Sequence, residues 1–178
     1  MFGAIKRWLF LQAIANIKRH KKQKPPLHHN PMQHIHVLYE SSTEDDNESV
    51  NQWVRELKKS GKTVHTLGFA QKKEVVLPET HGMYHRGEIK FNSIPDSEVV
   101  KAFIKDSSHV LIVLCHHFFD HMRYITFAQD ADLKIGLHFP KAESYFNLLI
   151  DVQPTLPYRQ MIKSIEQSIS ILSQTTKS

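Results

Sequence analysis

Cysteine is almost absent. Cys115 stands alone in the chain, which excludes an intramolecular disulfide and any zinc site built from several thiolates. Such a chain suits a reducing compartment. Glycine is scarce too, with 6 in 178 residues, and none falls in a G-x-G-x-x-G, Walker or G-x-S-x-G pattern. Dinucleotide sites, phosphate loops and nucleophile elbows therefore lack their backbone signature, and no cofactor and no catalytic residue is expected. Long apolar runs are missing as well. The stretch Trp8–Ile17 is about half the ~20 residues that a membrane-spanning helix needs. A basic cluster follows it where a secretion signal would carry a small-residue cleavage site. Acidic residues are missing from positions 1–24, which hold seven lysines and arginines.

The remaining composition is that of a globular protein, 40% hydrophobic and 23% charged. The net charge of +5 is segregated, because residues 25–178 hold 16 basic and 18 acidic side chains. A basic arm on a near-neutral body argues for a local attachment element rather than a nucleic-acid-binding fold. Four segments follow: a basic apolar helix over 1–24, a Pro/His linker over 25–33, an α/β domain over 34–173 and a tail over 174–178. The arm helix is apolar but has its lysines and arginines on more than one face. It fits an anionic membrane surface or a protein partner, with Phe2, Lys6, Arg7, Trp8, Phe10, Lys18, Arg19, Lys21 and Lys22 as contacts. Packing on its own domain is the plain structural alternative. Association with RNA or the ribosome through Lys18–Lys22 is a further reading, although the segment has more apolar surface than a phosphate-binding arm needs.

The body alternates strands and helices. His34–Tyr39 and Lys62–Phe69 read as strands flanking a helix over 46–59, where Val50, Trp53, Val54 and Leu57 recur on one face. Residues 70–94 are ambiguous: Val75–Leu77 and Glu88–Phe91 are candidate strands and Pro78–Gly87 a loop. A helix from Pro95, a strand over Val110–Cys115 and a helix over Asp120–Gln129 come next. Strands Leu133–His138 and Leu148–Val152 and a closing helix over Pro157–Ser173 complete the order. This predicts a three-layer α/β domain with a mostly parallel five-stranded sheet, Rossmann-like or flavodoxin-like, preceded by the N-terminal helix.

Ligands of such sheets bind at the carboxyl ends of the strands. The loop after the first strand, Glu40–Asp46, has carboxylates and no glycine, so it disfavours a nucleotide phosphate. The loop after the third expected strand, His116–His121, is the best place for a small ligand- or metal-binding, enzyme-like site. On a helix His117 and His121 share one face and offer a metal two nitrogens, with His116 or Asp120 nearby. The competing structural reading is chance clustering in a chain with 13 histidines. Cys115 ends an apolar run and reads as a small buried hydrophobe.

Several stretches carry a resemblance: Met1-Phe2-Gly3, Gly61–Val64 with Leu67–Phe69, Ile94–Val100, Arg123–Ile125 with Lys134–Gly136, and Leu149–Asp151. Over nearly its whole length the chain resembles an uncharacterised family of short bacterial proteins, a domain of unknown function. That resemblance implies the fold and a bacterial source, and no activity. The helix with Arg123–Ile125 followed by Lys134–Gly136 also looks like the amino-terminal half of heptosyltransferase-type glycosyltransferases. Those enzymes need a second α/β domain for the sugar nucleotide, so the likeness implies a solitary acceptor-like domain without catalysis. The resulting expectation is a cytoplasmic, non-catalytic adaptor or binding protein, attached through its arm to a protein partner or to the inner face of the membrane.

Overall fold

The computed structural model describes residues 2–20, 32–71 and 82–175. Six strands, β1 (His34–Ser41), β2 (Thr63–Ala70), β3 (Gly82–His85), β4 (Ser108–Leu114), β5 (Ala131–Leu137) and β6 (Leu148–Ile150), form one parallel sheet in the order β3-β2-β1-β4-β5-β6. The helices are α1 (Phe2–His20), α2 (Glu44–Lys59), α3 (Glu98–Lys105), α4 (Asp120–Ala128) and α5 (Tyr158–Thr175). No helix among the described residues is long and apolar enough to cross a membrane.

The α/β class stands, but the sheet has six strands and not five. The added strand is Gly82–His85, inside the stretch expected to be loop, and it pairs with β2 through Leu67–Ala70. Its sequence hides it, because Gly82-Met83-Tyr84-His85 is short and buries one side chain fully, Tyr84. Glu88–Phe91 is not a strand. Arg86–Glu88 is a single 3-10 turn, and Ile89 makes one isolated antiparallel bridge to Pro95. The candidate strand Val75–Leu77 and most of the Pro/His linker lie outside the described residues.

Local chemistry explains the element ends. Thr43 caps α2 by accepting the Asp46 N–H at 3.1 Å, and Glu44, Asp45 and Asp46 complement the positive helix terminus. Gly61, with φ +85°, turns the chain into β2 where a side chain would be strained. Val110, Leu111, Ile112, Val113 and Leu114 are all buried, as a strand covered on both faces requires. The covering layers follow, with α2 against α5, and α1 and α3 against α4. Lys134 on β5 is buried and turns its ammonium onto the carbonyls of Thr126 and Phe127, satisfying the carboxyl end of α4. Gly136 leaves room for the Phe146 ring, which a methyl group there would meet.

Candidate functional site

The strand order reverses between β1 and β4, so the sheet's carboxyl edge offers a crevice at that point. Side chains of this chain fill it. Glu40, near the end of β1, is buried, and its Oε2 accepts the backbone N–H groups of His116 (3.0 Å) and His117 (2.9 Å). Those two amides open the loop leading to α4, and the carboxylate takes the place an anionic ligand would take. Glu40 Oε1 lies 3.3 Å from His117 Nδ1.

A second carboxylate completes the cluster. Asp46, buried in the first turn of α2, accepts the Tyr158 N–H with Oδ1 at 3.0 Å and meets His116 Nε2 with Oδ2 at 3.0 Å. His116 Nδ1 donates to the Pro154 carbonyl at 2.6 Å. Burial favours the neutral imidazole, but the Asp46 carboxylate and the Pro154 carbonyl outweigh it, and the pKa of His116 is raised. The Tyr158 hydroxyl, wholly buried, reaches the carbonyls of Glu40 (2.7 Å) and Leu114 (3.2 Å). Thus β1, α2, the loop after β4 and the start of α5 are tied together by polar groups that are mutually paired. Both His116 nitrogens are engaged, which leaves neither free to move a proton to or from a substrate.

Sequence reasoning missed this cluster. Glu40 and Asp46 read as acids of the first loop, His116 as a further ligand beside His117 and His121, and Tyr158 falls unremarked at the start of the closing helix. The available signal was positional, since Glu40 and His116 sit at the ends of the two strands that flank the reversal. Pairing those strands in register would have brought them together.

The expected metal pair is placed differently from its sequence spacing. Helix α4 begins at Asp120, so His117 is not on it, and the shared helical face does not form. His117 is exposed and bound to Glu40, and it stacks on Phe119 at 5.5 Å. His121 is buried, stacks on Phe119 at 5.3 Å and shares a 2.8 Å hydrogen bond with Tyr84. Burial and the charge of Lys6 lower its pKa to about 4, so it is neutral near pH 7. Cys115 is fully buried, and burial holds its thiol well above the ordinary range. Asp120 pairs with Arg123, whose guanidinium lies over the Phe118 ring.

The arm residues can be followed through α1. Phe10 is 6% exposed and seated against the body, whereas Ile5, Trp8 and Leu11 are open to solvent, Trp8 at 56%. Lys6 and Arg7 are exposed beside them. Phe2, Lys18 and Arg19 lie on the helix, and Lys21 and Lys22 lie outside the described residues. An open cleft also lies between α2 and α5, lined by Trp53, Glu56, Arg159, Lys163 and Glu166 among others. It is on the helical layer and not at the strand ends.

Fold and site together define a parallel-sheet α/β domain whose switch-point crevice is closed by its own carboxylates. The chain belongs to DUF6913, a family of unknown function, whose model matches residues 7–172. No curated protein and no solved structure matches it.

Proposed function

We propose that this protein is a non-catalytic adaptor that attaches to an anionic membrane surface through α1 and presents its α/β body to partners. The observation that carries the reading is the double character of α1: Phe10 is buried against the body while Ile5, Trp8 and Leu11 stand exposed beside Lys6 and Arg7. Those three are half of the large exposed apolar side chains among the described residues, which include only Phe91, Val99 and Ile171 besides. Tryptophan at such a site matches the headgroup boundary, and lysine and arginine match anionic lipid. The seven basic and no acidic residues over 1–24 supply the charge complementarity. A protein groove would accept the apolar face equally well but gives no reason for the charge excess.

Two features favour binding over catalysis. The switch-point crevice is occupied by Glu40, and both nitrogens of His116 are committed. In finer detail, we read the fold as flavodoxin-like. Without edge strand β3 the order becomes β2-β1-β4-β5-β6, and α5 returns to the α2 face. A bacterial source and a place on the inner face of the membrane belong to the same proposal.

Flotation with vesicles tests it. The full chain should float with phosphatidylglycerol-rich vesicles and stay behind with neutral phosphatidylcholine. Trp8→Glu/Leu11→Glu, which alters exposed positions only, should reduce the bound fraction at least about tenfold. Equal flotation of the variant, or of the wild type on neutral lipid, overturns the membrane reading. Salt-sensitive binding to RNA without any flotation would do the same.

A further inference from the structure

The opposite end of the sheet, where the strands begin, carries a second cluster of side chains. His36 and His65 hold equivalent places, each the third residue of its strand, and the parallel register sets them directly side by side. Their rings stack across the strands at 5.3 Å with 26° between planes, so both project from one face. Helix α3 ends at Lys105, and Asp106 brings its carboxylate over the pair. Asp106 Oδ2 lies 3.2 Å from His36 Nε2 and 2.6 Å from His65 Nδ1, and all three donor atoms fall within 4.8 Å of one another.

We propose that His36, His65 and Asp106 form a binding site for a divalent transition-metal ion of the zinc class. A zinc ion with ligands at about 2.0–2.2 Å spaces neighbouring donors roughly 3.0–3.5 Å apart. The His36–Asp106 separation already meets that spacing. His65 and Asp106, now 2.6 Å apart, must open by about 0.4–0.9 Å to admit the ion. Their side chains are 55% and 47% exposed and free to do so, while His36, at 3%, is the fixed point.

Donor chemistry and surroundings favour this class of ion. Two imidazole nitrogens and one carboxylate oxygen suit zinc, cobalt, nickel or copper, whereas calcium and magnesium take oxygen. Three protein ligands on an exposed rim leave a fourth position to water. The Phe103 ring, 4.7 Å from His36, holds the fixed imidazole in place. Gln129 Nε2 lies 2.9 Å from His36 Nδ1 and donates to the Asp106 carbonyl at 2.8 Å. Ligation through Nε2 puts a proton on Nδ1, which asks the Gln129 amide to turn its oxygen toward the ring. The turn needs no extra space, but it gives up the N–H donation to the Asp106 carbonyl, a cost that ligation of the ion must exceed. The alternative is a His-Asp-His hydrogen-bonded chain that needs no ion. The two readings differ in what zinc does to the protein.

Zinc and cobalt titrations of the full chain, prepared without a polyhistidine tag and followed by calorimetry and by the visible cobalt spectrum, decide between them. The proposal predicts one tight equivalent and a zinc-dependent rise in Tm. His65→Ala and Asp106→Asn, both at exposed positions, should each weaken that equivalent about 100-fold or more and abolish the rise. His117→Ala should leave both unchanged. Circular dichroism without metal checks that the variants remain folded. An equivalent that survives both His65→Ala and Asp106→Asn, or a wild type that zinc neither binds tightly nor stabilises, overturns the site.

Discussion

At the scale of single residues, Glu40 and Tyr158 carry most of the consequence. Glu40 accepts the two backbone N–H groups that open the loop after β4, and Tyr158 bridges the carbonyl ends of β1 and β4. Removing the carboxylate leaves two part-buried donors without their acceptor, so Glu40→Ala should lower unfolding stability by about 2 kcal/mol. Glu40→Gln, which keeps one acceptor oxygen, should cost roughly half of that. Denaturant titration measures both. A carboxylate held in place for chemistry gives the opposite sign, because removing strained functional charge commonly stabilises a fold. His121 adds a pH dependence. Its folded pKa of about 4 lies below the ordinary 6.5, so between those values the unfolded chain binds a proton that the folded chain refuses. Its contribution is full above about pH 6.5 and fades as pH falls toward 4, by at most about 3 kcal/mol. Melting curves from pH 4 to 8 should therefore show a flatter acid slope for His121→Gln than for the wild type. His116 has the opposite sign: its raised pKa gives stability that is present in acid and lost as pH rises through the folded value.

At the scale of elements, the stretches that carry the family resemblance turn out to hold the fold. Gly61 terminates α2, Lys134 closes α4, and Asp96 pairs with Lys90 at 2.8 Å and Lys101 at 3.0 Å around the start of α3. Gly136 is the sharpest case. Its missing side chain makes room for Phe146, so Gly136→Ala should cost about 1–3 kcal/mol by overpacking, read from the denaturation midpoint. Most elements were legible in the sequence because they are long and periodic. Val50, Trp53 and Val54 mark the buried face of α2, and β4 announces itself as an unbroken apolar run. Strand β3 was not legible, since four residues with one buried ring have no period to read. The closed crevice and the His36–His65–Asp106 cluster escaped for another reason. Each joins residues some 30 to 120 positions apart, and only the register of parallel strands brings them together.

At the scale of the whole molecule, the excess positive charge and three of the six large exposed apolar side chains of the described residues fall on the N-terminal segment, while Glu40 fills the crevice at the carboxyl edge of the sheet. Helix α1 lies against α4 with Phe10 buried, close enough for Lys6 to act on His121, yet it leaves Ile5, Trp8 and Leu11 exposed. A helix serving only its own domain would turn its largest apolar side chains inward. This one keeps its tryptophan outside, beside Lys6 and Arg7. The adaptor reading depends on what covers that face.

The most direct measurement is the emission of Trp8 in a Trp53→Phe background, where it is the sole tryptophan of the 2 in the chain. With phosphatidylglycerol-rich vesicles the spectrum should move to the blue and the residue should become shielded from iodide, with neither change on neutral vesicles. An unchanged spectrum and undiminished quenching at saturating anionic lipid would contradict the account.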